Sequence, residues 1–174
     1  MDSYKWALRQ ACIVYEDGQL PVVIATDADA ALATAIECTT PHVCHLLGLW
    51  HIEKNVLAKT KKHFTCGQRH KEFLNQWTGM CRATSSTQSD ECKDTHFAEF
   101  VDVPHVIRYL SDTWLTHKKK FVMAWTSKCL HQGNMSTFAV EGMHATLKRY
   151  LHVSTGDLHG VRECMTHLLE HQPQ

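Results

Sequence analysis

The chain has 174 residues, 44% hydrophobic and 21% charged, with 18 basic side chains against 18 acidic ones. That length suits one domain with a real core, and that composition excludes wholesale disorder. A net charge of zero excludes a protein that grips nucleic acid by overall charge, which leaves only local basic patches for the purpose.

In chain order, Ser3 to Tyr15 has helical spacing, with Tyr4, Leu8, Ala11 and Cys12 on one face, and Asp17-Gly18 ends it in a turn. Pro21-Val-Val-Ile-Ala-Thr26 is a short β-branched run closed by Asp27, the pattern of a buried strand. Ala28 to Cys38 is an alanine-rich helix, Val43 to Trp50 a second core strand, and Ile52 to Phe64 an amphipathic helix with a basic end at Lys59, Lys61 and Lys62. The first third thus alternates helix, strand, helix, strand, helix, which predicts an α/β layer. Lys71 to Arg82 and Phe97 to Lys120 carry helical patterns, while the polar stretch Thr84 to Asp90 between them reads as a loop and a flexible break. Gln132-Gly-Asn134 is a turn, and Ser136 or Thr137 can cap a helix carrying Glu141 through Tyr150. A last helix is expected from Asp157 to Glu170. The fold class is therefore mixed α/β, with an α/β part at 1–65, a helical middle at 66–132 and C-terminal helices at 133–174.

Asp27 ends a buried strand, where open α/β sheets bind their ligands. By spacing alone, however, Asp27 or Asp29 reads first as an N-cap of the alanine-rich helix. Glu141, near the start of its helix, reads by itself as ordinary helix-dipole chemistry. Cys66-x3-His70, Cys92-x3-His96 and the group His42, Cys44, His45 and His51 invite a zinc reading. No C-x2-C or C-x-C knuckle occurs, so buried thiols and surface histidines explain the pattern and a structural zinc is not expected. No apolar run reaches the ~18 residues of a membrane span, and the N-terminus lacks a signal-peptide layout. The eight cysteines then read as reduced thiols of the cytosol or nucleus. The basic clusters Lys59/Lys61/Lys62, Lys118 to Lys120 and Lys148/Arg149 are solvated faces by default. They gain interest only around a site that approaches phosphates.

Three stretches become specific. Pro21-Val-Val-Ile-Ala-Thr-Asp-Ala-Asp-Ala-Ala-Leu32, Leu47-Gly-Leu-Trp-His-Ile-Glu-Lys-Asn-Val56 and Gly133-Asn-Met-Ser-Thr-Phe-Ala-Val-Glu-Gly-Met-His-Ala-Thr-Leu-Lys-Arg-Tyr-Leu151 resemble, in this order, the catalytic domain of Mutator-like element (MULE) transposases. Asp112-Thr-Trp-Leu and Lys120-Phe-Val-Met-Ala-Trp-Thr126 between them match in order and kind. The resemblance implies an RNase H-like fold with a helical insertion before the last acidic residue. It also implies DDE chemistry, in which Mg²⁺ or Mn²⁺ ions on carboxylates drive DNA strand cleavage and transfer. Two such ions about 4 Å apart activate the attacking oxygen and neutralise the leaving one, and hard cations take oxygen ligands.

Carried over by motif, Asp27 matches the second metal-binding acid, Glu141 the third, and His51 the histidine of the Trp-His signature. Lys118, Lys119, Lys120, Lys148 and Arg149 become candidate DNA contacts. Terminal-repeat DNA, self-association and a nuclear location follow from the same resemblance, and no membrane does. Gly48 stands where the family commonly has cysteine. The family's first aspartate lies on a strand upstream of the Tyr4-Lys-Trp-Ala-Leu8 helix, so this stretch is expected to lack it, to have an unpaired sheet edge and to be inactive alone. A host-recruited DNA-binding or protein-interaction module, and a part of a longer active transposase, are the alternatives.

Overall fold

The computed structural model describes residues 2–14 and 21–129. The described residues belong to one compact unit. The expected turn at Gln132-Gly-Asn134, the helix bearing Glu141 and the last helix all lie outside the described residues.

The chain is mixed α/β and mostly helical. Helix α1 spans Asp2–Val14, strand β1 Val23–Thr26, helix α2 Ala30–Thr39, strand β2 Cys44–Leu47 and helix α3 Leu49–Thr60. This is the alternation expected from the sequence. The two strands pair in parallel, Val23 with Cys44 through Thr26 with Leu47, joined by α2 as the crossover. Helix α1 packs on α2. Strand β2 stops earlier than expected. Gly48 is the N-cap of α3, so Leu49 and Trp50, which read as strand, form its first turn. An apolar run of eight cannot be divided by hydropathy alone.

A 3₁₀ turn at Lys61–His63 leads to α4, Gly67–Cys81, and then to α5, Ser86–Glu99. Helix α5 overturns the expected flexible loop at Thr84 to Asp90. Ser85 caps it, its Oγ accepting from Gln88 N at 3.1 Å, while Gln88 Oε1 reaches back to accept from Thr84 N at 3.0 Å. The Ser-x-x-Gln spacing is the capping-box pattern, here with the reciprocal bond taken from Thr84 N, one residue before the cap. Its core-facing side is Ser89, Cys92 and His96, i, i+3 and i+7, which is why no apolar stripe announced it. Helix α6, Pro104–Tyr109, runs on through a π turn (Leu110–Trp114) and a 3₁₀ segment (Leu115–Lys120) to α7, Met123–Thr126.

The helical middle holds the larger core. Ile52 and Val56 of α3 meet Phe73, Trp77, Met80 and Cys81 of α4, closed over by Phe100, Val106, Leu110, Trp114 and Phe121. The α3 pair stands at i and i+4 and the α4 set at i, i+4, i+7 and i+8, the stripe that turns one helix face inward. A fully buried side chain of this size contributes about 1.5–3 kcal/mol, so this cluster and not the four-residue strands carries the fold. Helix α3 belongs to both parts: its first turn follows the sheet, and its buried face enters this core.

Candidate functional site

The site is assembled at the carboxyl end of the two strands. Thr26 O accepts from Gly48 N at 2.8 Å, which ties the end of β1 to the cap of α3. Asp27 follows Thr26 directly, and His51 sits in the first turn of α3, half-buried and edge-on to Trp50 with ring centroids 4.9 Å apart. The two candidates thus come to the same end of the sheet on different elements.

The capping ambiguity resolves in favour of Asp29. Its extended backbone (φ −87°, ψ 118°) precedes α2 and its Oδ1 accepts from Leu32 N at 2.7 Å. Asp27 is exposed, and among the described residues its carboxylate has no hydrogen-bond or ion-pair partner. A free carboxylate at a strand end is a fitting oxygen ligand for a hard cation. Among the described residues no three His, Cys, Asp or Glu side chains converge to hold a metal. Glu141, Lys148 and Arg149 lie outside the described residues.

Beside Asp27, an open cavity of about 270 Å³ is lined by Ala28, Asp29, Glu37, His45, His117 and Lys120, among others. His45, on β2, is a buried histidine that sequence reasoning left among surface imidazoles. Its Nε2 lies 2.8 Å from Thr26 Oγ, and its Nδ1 lies 3.5 Å from Lys120 Nζ, which in turn contacts Glu37 Oε1 at 3.3 Å. Burial, with the Lys120 ammonium adding to it, holds the His45 pKa below the usual imidazole range against the opposing charge of Glu37.

The lysine run is thus partly committed inside the molecule. Lys118 donates to Asp90 Oδ1 at 2.8 Å, a bond that lowers the Asp90 pKa, and its Nζ stands 4.9 Å from the Trp125 ring centroid. Lys120 holds Glu37, while Lys119 is exposed.

The pairs that suggested zinc have other partners. His70 Nε2 meets Thr60 Oγ at 2.8 Å, and burial, then the charge of Lys61, lowers its pKa. His96 Nδ1 meets Gln76 Oε1 at 3.2 Å within an aromatic nest of Phe73, Phe97 and Phe100. Cys66 is exposed at the start of α4, and Cys92 is half-buried on α5. The expectation of reduced thiols throughout is corrected at one pair. Cys44 at the start of β2 and Cys129 beyond α7, 85 residues apart, are joined by a disulfide. Spacing could not show this, because only the fold brings their Cα atoms to 6.7 Å.

Residues 1–55 match the family model of the MULE transposase domain. Over 157 residues the chain is 26% identical to Protein FAR-RED IMPAIRED RESPONSE 1 of Arabidopsis thaliana, a match covering 87% of this chain and 18% of that protein. The chain therefore spans less than a fifth of the length of this relative. No solved structure matches. The matched segment contains β1, Asp27, β2 and His51, the elements that build the sheet end. The first 55 residues are thus similar to the MULE transposase domain, and most of the chain is similar to part of one plant protein.

Proposed function

We propose that this chain is a segment of a transposase-derived RNase H-like domain that retains part of a DDE metal site and does not cut DNA alone. The observation that carries the reading is the division of labour between two neighbouring aspartates. Asp29 caps α2, whereas the Asp27 carboxylate, at the strand end inside the MULE-matching segment, has no partner among the described residues. Asp27 and Glu141 are the carboxylates that would hold Mg²⁺ or Mn²⁺, and His51 the group that orients the site. The metal's contribution is to activate an attacking oxygen and neutralise the leaving one. Lys119, with Lys148 and Arg149, is the better candidate for DNA phosphates, since Lys118 and Lys120 already hold Asp90 and Glu37. Terminal-repeat DNA, self-association and a nuclear location belong to the same reading. Nicking of terminal-repeat DNA with Mg²⁺ or Mn²⁺ tests it: the chain and its Asp27→Ala variant should be equally inactive. Turnover abolished by Asp27→Ala would overturn the inactive-segment reading and favour an active transposase.

A second reading has its own support. The match extends along 87% of the chain to a plant protein named for an impaired far-red response and not for transposition. A recruited module that binds DNA or protein without cutting fits that relative. The zero net charge makes the salt dependence of DNA binding the discriminating measurement. Absence of binding at low salt would remove its DNA branch.

A further inference from the structure

Since no described residue bonds the Asp27 carboxylate, its placement depends on the backbone that carries it. The Asp27 carbonyl accepts the Thr26 hydroxyl proton at 2.8 Å. That hydroxyl has one proton to give, so at its other contact it must accept, and His45 Nε2–H is the donor at 2.8 Å. The imidazole then keeps its lone pair on Nδ1, which faces the Lys120 ammonium at 3.5 Å, with Glu37 3.3 Å from the same ammonium. The chain of contacts starts on α2 and on the 3₁₀ segment of the helical middle, crosses β2 and ends at the Asp27 carbonyl. His45 is 9% exposed and stands between the two parts of the fold.

We propose that His45 is a positioning residue for Asp27. It holds the end of β1 through Thr26 and is itself oriented by the Lys120–Glu37 pair, so that the helical middle sets the aim of the strand-end carboxylate. The inference rests on the reading of Asp27 as a metal ligand, and it explains why a lysine of the basic run turns inward.

The test uses the full 174-residue chain and Mn²⁺ as the probe. Thr26→Val removes the hydroxyl at nearly constant shape, Thr26→Ser keeps it, His45→Leu removes the donor and His45→Gln keeps one. Thr26→Val and His45→Leu should weaken Mn²⁺ binding about ten- to hundred-fold, while Thr26→Ser and His45→Gln stay within roughly three-fold. Melting curves confirm that each variant is folded. Wild-type affinity in folded Thr26→Val overturns the proposal.

If the wild-type chain binds no Mn²⁺, the ligand reading of Asp27 fails, and the positioning link is read directly by nitrogen-15 spectra. His45 should then show the Nε2–H tautomer. The Ala28 amide, next to the Asp27 carbonyl, should shift in Thr26→Val and not in Thr26→Ser. An unmoved Ala28 amide, or the opposite tautomer, overturns it.

Discussion

Acid should weaken this fold through His96. The side chain is fully buried on α5 among Phe73, Phe97 and Phe100, its Nδ1 meets Gln76, and its Nε2 has no hydrogen-bond partner among the described residues. Burial lowers its pKa from 6.5 to about 4, with only Glu99 pulling the other way. The native state therefore holds a neutral imidazole, while the unfolded chain takes up a proton near its ordinary value. The stability contributed by the neutral form is present above about pH 6.5 and is lost as pH falls through the native value near 4. Between about pH 7 and pH 5 the loss from this one group is about 2 kcal/mol. His45 and His70, also lowered by burial, act in the same direction. Comparison with His96→Leu isolates the effect. In denaturant melts the stability difference between the two proteins should narrow by about 2 kcal/mol over that interval. Parallel pH dependences would refute the argument, because they would mean that the buried imidazole does not resist protonation.

Three further outcomes follow from the same geometry. The Cys44–Cys129 disulfide closes a long loop, for which chain entropy implies up to about 4–5 kcal/mol, so reductant or the Cys44→Ser/Cys129→Ser pair should lower the denaturation midpoint. Equal midpoints with and without reductant would contradict this. Asp29→Ala should cost about 1 kcal/mol through loss of the α2 cap, whereas Asp27→Ala should stay within roughly 0.5 kcal/mol; the reverse order in thermal melts would reassign the cap. Ser85→Ala should destabilise α5 by about 0.5–2 kcal/mol and speed hydrogen exchange in its first turn, and an unchanged exchange pattern would remove the capping box.

Local chemistry made the first third legible. Helix α1 lies within one residue of its expected ends, and β1 and α2 follow the expected order, because a β-branched run and an alanine-rich run differ in both period and composition. Where local signals were weak, the reading failed. Gly48 divides one apolar run into strand and helix, and α5 turns serine, cysteine and histidine inward. The site shows the same division. Asp27 was legible as the last position of a strand motif, although only the observed bond from Leu32 N to Asp29 relieved it of the capping role. His45 and Lys120 are 75 residues apart, and Cys44 and Cys129 are 85 apart. No spacing rule links such residues; the His45–Lys120 contact, for one, is made by packing of the 3₁₀ segment against β2.

In the proposed function Asp27, and not its neighbour Asp29, is the carboxylate that would face the metal. Paramagnetic broadening by Mn²⁺ in the spectrum of the intact chain tests it residue by residue. The account predicts broadening centred on Asp27 and Ala28 that Asp27→Asn abolishes and Asp29→Asn leaves in place. Broadening that survives Asp27→Asn, or that centres elsewhere, would contradict it.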